Sequence, residues 1–293
     1  MSKIKIMADS ACDIPEELER ELDIKILSFS VAVGDDSYLE RVDFTNQEFY
    51  DILASAPKLP STAQITSMQF YEEFKAVQAE GYPEMIYISI NGTGSSTLNN
   101  ARMAREKLYE KHPEYRESFK IHLVDSKAYT IAYGYPVIEA AKKARRGASS
   151  AEILGYLEDW FDSVEIYFAP FTLEFVKKSG RVSCAAAFVG ELIGLRPIIS
   201  IIDGKTEIVE KVRGDKAIVP ALMKHAQNRA IPQTPVMMVQ AKEQPEADLL
   251  EEKIRKGFAG EFIGRFPVGA AIAVNTGPKV LGVIIKGKNR RTN

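Results

Sequence analysis

The stretch Ile86-Tyr-Ile-Ser-Ile-Asn-Gly-Thr-Gly-Ser-Ser-Thr-Leu-Asn-Asn100 decides the fold. An apolar run, read as a strand over Met85–Ile90, enters a loop of glycines and hydroxyls that opens a helix over Asn99–Lys111. In that arrangement free backbone N–H groups and the positive end of the helix dipole face one point, which suits an anion. The same hydroxyls serve equally well as helix caps, so the loop alone leaves phosphate, carboxylate and a plain N-cap open.

The pattern repeats on both sides. Lys3–Ala8 reads as a strand, Asp13–Leu22 as a helix with Pro15 at its start, and Ile24–Val33 as a second extended run. Thr45 caps a helix over Gln47–Ala54, and Thr66 or Ser67 caps another through Gln78. The short apolar run Ile121–Val124 ends at Asp125-Ser126, and a long helix follows to about Arg146. Strand–helix alternation predicts an α/β fold with a largely parallel sheet covered on both faces. A turn and helix start at Gly147–Ser150 lead to an amphipathic segment, Ala151–Ser163, and Val164–Ala169 begins a second domain. There the pattern predicts a helix over Thr172–Lys178, a small-residue run over Ser183–Gly194, and strands near Pro197–Ile202 and Lys205–Val212. A helix over Lys216–Asn228, a strand over Val236–Gln240, a helix over Ala247–Phe258 and a strand over Ala270–Val274 complete it.

At 293 residues the chain exceeds one ordinary core and suits two domains divided near residue 160. A hydrophobic content of 45%, a charged content of 27% and a net charge of −2 fit a soluble globular protein and argue against a general nucleic-acid binder. No apolar run spans a bilayer, Met1–Asp9 does not read as a signal peptide, and Cys12 and Cys184 form no motif; a cytoplasmic location is expected.

Catalytic inventories fail. Gly94-Ser-Ser-Thr lacks the glycine spacing of a nucleophile elbow. The three histidines, His112, His122 and His225, sit in a charged loop, at a strand edge and among Lys and Gln on a helix. Phosphate-loop, zinc-protease and Cys-x-x-Cys patterns are absent, so neither a metal nor a cofactor is expected. What remains is a set of hydroxyl or carboxylate loops at Asp9-Ser10, Ser61-Thr62, Ser95–Thr97, Asp125-Ser126 and Asn275–Pro278, together with a basic cluster, Lys177-Lys178-Ser-Gly-Arg181. Open α/β sheets gather such loops beyond the carboxyl ends of their strands.

Taken in order, these loops resemble the motifs of the DegV family of bacterial fatty-acid-binding proteins over nearly the whole chain. Ala8-Asp-Ser-Ala-Cys-Asp-Ile14 is similar to the family's Thr-Asp-Ser-x-x-Asp-[Leu/Ile], and Leu59-Pro-Ser-Thr-Ala-Gln-Ile65 to its Leu-Pro-x-Thr-Ser-Gln-Pro. Ile90-Asn-Gly-Thr-Gly-Ser-Ser-Thr-Leu-Asn-Asn-Ala101 resembles its Ile-Ser-Ser-x-Leu-Ser-Gly-Thr-Tyr-Asn-Asn-Ala signature. Val124-Asp-Ser126, Leu173–Arg181 and Leu195-Arg-Pro-Ile198 follow in family order, and Asn275-Thr-Gly-Pro278 stands where the family has His-Thr-Gly-Pro.

The resemblance implies two α/β domains: 1–160 with a largely parallel sheet and the headgroup loops, and 161–293 with a mixed sheet and helices enclosing an acyl chain. It implies a carrier, not an enzyme, that binds a long-chain fatty acid and presents it to a separate ATP-dependent kinase for acyl-phosphate formation in phospholipid synthesis. Membrane contact would be transient only. By motif matching Thr62 and Ser95 hold the carboxylate, with Asn275 in place of the histidine and Thr276 beside it; Arg181 and Arg213 are kinase contacts. Phe168, Phe171, Phe188, Val189, Leu192 and Ile193 are expected to line the acyl slot. The alternatives are a small-molecule phosphotransferase subunit or hydrolase using the Ser95 loop as an anion cradle, and a DNA-binding regulator, which the charge disfavours.

Overall fold

The computed structural model describes residues 3–56, 58–182 and 194–288. In chain order they form β1 (Ile4–Asp9), α1 (Glu16–Leu22), β2 (Lys25–Leu27), β3 (Ser30–Val33), β4 (Asp36–Leu39), α2 (Asn46–Ser55), β5 (Ser61–Ala63) and α3 (Ser67–Ala79). Then come β6 (Glu84–Ser89), α4 (Thr97–Lys111), α5 (Tyr115–Ser118), β7 (Lys120–Asp125), α6 (Ile131–Arg145), α7 (Ser150–Phe161), β8 (Val164–Pro170) and α8 (Glu174–Ser179). The rest is β9 (Leu195–Ile202), β10 (Lys205–Arg213), α9 (Ile218–Arg229), β11 (Val236–Gln240), α10 (Pro245–Gly257), β12 (Phe262–Pro267), α11 (Ala270–Thr276) and β13 (Val280–Lys286).

The protein is a mixed α/β fold. Four parallel strands in the order β2-β1-β6-β7 make one sheet, and β4-β3-β5 make a small antiparallel one. The third sheet runs β10-β9-β8-β13-β11-β12 and is antiparallel except where β12 joins β11. Every residue of β1 is buried, as a central parallel strand covered on both faces requires. The six-stranded sheet divides its faces by the two-residue period of a strand. Ile166, Phe168, Ile199, Ile201, Met237 and Val239 turn toward the large core shared with the four-stranded sheet. Tyr167, Ala169, Ile198, Met238, Leu281 and Val283 turn toward a separate core with α9 and α10.

Local signals account for the helix starts. Thr45, Thr66 and Ser149 each close a capping box with Glu48, Gln69 and Glu152. Other expectations are corrected. The run Ala270–Val274 is helical, not a strand: three of its five residues are alanine, and buried carboxylates receive the amides at its start. Ile24–Val33 is not one strand, because the chain breaks at Ser28-Phe29 and β2 and β3 enter different sheets. The strands β12 and β13 were absent from the sequence reading, although β13 lies at the centre of its sheet. The small-residue run 183–193 lies outside the described residues.

Helix α6 crosses the turn after β1 at Gly134, where a Cβ would overlap the backbone carbonyl of Cys12 and come 3.0 Å from Ile14 Cγ1. Backbone cannot yield as a flexible side chain does. Gly134→Ala is expected to cost about 1–3 kcal/mol, read as a lowered urea midpoint with unchanged slope.

Candidate functional site

The parallel sheet changes direction between β1 and β6: the chain leaves β1 toward β2 and later leaves β6 toward β7 on the other side. Such a switch point opens a crevice at the carboxyl ends of the two strands. Asp9 closes β1 there, fully buried, and its carboxylate accepts from Tyr87 Oη (2.9 Å), Tyr133 Oη (2.6 Å) and the amide of Ile90 (2.9 Å). Burial pushes Asp9 up to about 6, against the pull of these donors. It ties β1, β6 and α6 together and so fixes where the Ile90–Ser96 loop begins.

That loop is held by its neighbours. Asn91 donates through Nδ2 to Tyr129 Oη and to the carbonyl of Gly204, both at 2.9 Å, which pins the β9–β10 turn over it. The Gly92 amide donates to Asp125 Oδ1 (3.0 Å), and a Cβ at Gly92 would lie 2.7 Å from Asp125 Oδ2. Ser95 Oγ pairs with Thr97 Oγ1 at 2.8 Å and accepts from the Thr97 amide at 3.3 Å, at the first turn of α4. Thr62 lies opposite Val31 in the β3–β5 pair.

The other wall is α11. The Gly269 amide donates to Asp13 Oδ1 (2.9 Å) and the Ala271 amide to Glu40 Oε1 (2.8 Å), while Ser10 Oγ donates to Glu40 Oε2. Burial raises both carboxyls; the charge of Glu40 raises Asp13 further, and that of Asp9 raises Glu40. Asn275 Nδ2 donates to its own helix at Ala271 O (2.9 Å), and Thr276 Oγ1 does so at Ile272 O (3.3 Å).

These elements enclose a cavity of about 890 Å³, within the range of small-ligand sites. Thr62, Ser95, Asn275, Thr276, Phe168 and Arg181 all line it, so the structure brings together residues that lie up to 214 positions apart in the chain. Its apolar wall is the inner face of the six-stranded sheet, with Ile166, Phe168, Ile201 and Val239. A second cavity of about 630 Å³ shares Thr62, Arg181 and Asn275 with the first and adds Lys58 and Lys178. Phe171 does not line either; it stands just past the end of β8 and packs into the core on the opposite face of the sheet. Arg213 ends β10 and lines neither cavity. Phe188, Val189, Leu192 and Ile193 lie outside the described residues. Sequence reasoning did not single out Tyr129, Thr130 or Glu40, none of which stands in a recognisable spacing pattern, and it quoted Asn91 only as part of the Ile86–Asn100 stretch and the Ile90–Ala101 signature.

A family model described as an uncharacterised protein of the DegV family matches residues 3–288. The chain belongs to the DegV family. A DegV domain-containing protein of Clostridium perfringens is 30% identical over 285 residues, 96% of this chain and 97% of the relative. Among solved structures, a stearic acid-binding protein from Eubacterium ventriosum superposes with a TM-score of 0.86 at 22% identity, covering 98% of each chain. The Fatty Acid Kinase B3 protein of Streptococcus pneumoniae, loaded with linoleic acid, superposes at 0.83 and 21% identity over 98% of this chain and 100% of that one. A DegV family protein of Thermus thermophilus, described by its fatty acid binding, gives 0.84 at 23%, over 98% and 100%.

Asp9 supplies a pH test of this architecture. Its folded-state value lies above the ordinary 3.8, so its contribution to stability is complete below that pH and is lost as pH rises through about 6. Asp9→Asn removes that dependence. Chemical denaturation is expected to show the variant gaining on the parent, by on the order of 3 kcal/mol, as pH rises from about 4 to about 7.

Proposed function

We propose that this DegV protein binds a long-chain fatty acid in the larger cavity and is a carrier rather than an enzyme. The observation that carries the reading is the division of the cavity wall: one sheet face supplies Ile166, Phe168, Ile201 and Val239, while the hydroxyls of Thr62 and Ser95 gather with Asn275 and Thr276. Each methylene taken from water contributes about 0.8 kcal/mol, so a long acyl chain gains on the order of 10 kcal/mol inside such a wall. Its carboxylate needs charge-assisted hydrogen bonds, which the hydroxyls and the second N–H of Asn275 supply without a metal. Residues 1–160 form the headgroup domain in this reading and 161–293 the acyl-chain domain.

The acid is then offered to a separate ATP-dependent kinase that forms the acyl phosphate. Arg181, which lines both cavities, is the stronger contact for that partner, and Arg213 is a second on the β10 end. Among the described residues no helix is long and apolar enough to cross a membrane, in keeping with a cytoplasmic carrier that meets membranes transiently. A hydrolase at Ser95 would lack a histidine base: His122 pairs with Glu84, His225 with Glu210, and His112 stacks on Tyr115, and none of them lines either cavity.

Native mass spectrometry of protein purified from cells is expected to show a bound fatty acid that solvent extraction releases. Thr62→Val and Ser95→Ala are each expected to weaken fatty-acid binding about tenfold in a fluorescence competition assay. A chain that carries no lipid and takes up none when fatty acids are added does not have this function.

A further inference from the structure

One polar group in the cavity wall is left unused by this arrangement. Thr130 lines the cavity, is 5% exposed, and its Oγ1 is buried with no hydrogen-bond partner among the described residues. It occupies the N-cap position of α6, where a threonine ordinarily accepts from an amide of the first turn, yet it makes no side-chain capping bond. Its backbone stands at φ 57° and ψ −152°, a conformation that β-branched residues adopt only when their surroundings impose it. A buried hydroxyl without a partner is costly, so a partner supplied from the cavity accounts for its position.

Tyr129 adjoins it in sequence and also lines the cavity. Its Oη accepts from Asn91 Nδ2 at 2.9 Å, and its own proton has no acceptor among the described residues. A Cβ on Gly94 would overlap Tyr129 Oη, so that oxygen lies against the residue immediately before Ser95. The phenol is therefore beside the same loop that presents the Ser95 hydroxyl. Asn275 and Thr276 differ: both already donate into carbonyls of α11.

We infer that Tyr129 and Thr130, at the start of α6, form a second pair of hydroxyl donors for a carboxylate head group, acting with Ser95. The inference rests on the reading that the cavity holds a carboxylic lipid. The positive end of the α6 dipole favours an anion at this place over a neutral group of the same size. Tyr129 and Thr130 then supply the donors that α11 spends on itself, and two helix starts, those of α4 and α6, converge on one anion.

The test compares oleate with oleyl alcohol, which has the same chain without the charge, on the full-length protein and on Thr130→Val and Tyr129→Phe. Both variants keep the side-chain outline and remove one hydroxyl donor. Each is expected to weaken oleate about tenfold or more while oleyl alcohol stays within about twofold. Should one variant fail to fold, the other carries the comparison. Equal weakening of both ligands marks a structural role and overturns the inference, as does undiminished oleate binding in both variants with the parent binding normally. A parent protein that binds neither ligand overturns the proposed function and this inference together.

Discussion

The structure depends on two carboxylates buried where its halves meet. Asp13 and Glu40, from the first forty residues, receive backbone amides at the start of α11, beyond residue 268. A helix of seven residues has little stability of its own, so its position is set by what holds its ends. Here one end is held by two acceptors placed at the positive pole of the helix dipole, and Tyr50 Oη donates to the Val268 carbonyl just before it. Both carboxylate oxygens lie 2.6 Å from where a Cβ on Gly269 would stand, so the clamp closes only around glycine. Ala271, Ile272, Asn275 and Thr276 line the cavity from this helix, and the ligand site inherits its geometry from the clamp.

The clamp also bears on the charge state of the junction. Asp13 Oδ2 is buried without a partner among the described residues, and the nearby Arg41 is engaged by Glu19 Oε2 and by the carbonyl of Ile14. Burial raises Asp9, Asp13 and Glu40 alike, with Arg41 opposing the shift at the last two. Asn275 stands four residues after Ala271, about one helical turn and roughly 6 Å from an amide that a buried acid receives.

Much of this was legible in the sequence wherever the signal was local. Thr45 and Thr66 announced their helices by capping chemistry, and the Ile86–Asn100 stretch gave the strand, loop and helix that hold Ser95. The ordered motifs single out Thr62, Ser95, Asn275 and Thr276, which line one cavity although they lie far apart along the chain. Signals failed where tertiary structure overrode the local pattern. Ala270–Val274 is apolar throughout and consistent with a buried strand; its alanines permit a helix, and Asp13 and Glu40, more than 200 residues away, receive the amides at its start. Phe171 looks like part of the Phe168 surface, but it directly follows the last residue of β8 and packs with the core on the opposite face of the sheet. Tyr129 and Thr130 carry no spacing signal, because what sets them apart is the approach of Gly94 to the phenol and the strained backbone of Thr130.

A cavity of about 890 Å³ inside a closely packed protein must be held open by its frame, since interiors otherwise fill to crystal-like density. The frame here is stiff where it is polar: Asn91 bridges the loop to Tyr129 and to the β9–β10 turn, and Asp125 grips the Gly92 amide. Most polar groups in the wall are neutral, and the two cations among the described residues are Lys205 and Arg181, the latter shared with the adjoining cavity. That choice suits transfer. A carboxylate buried against a fixed cation is costly to separate, because removing one partner strands the other charge. Hydroxyl and amide donors return to water or to one another when the anion leaves, as Ser95 and Thr97 already do. In the carrier proposed above, acyl burial would supply affinity and the hydrogen-bonding head site would set orientation, so that a lipid could be held firmly and still be given up.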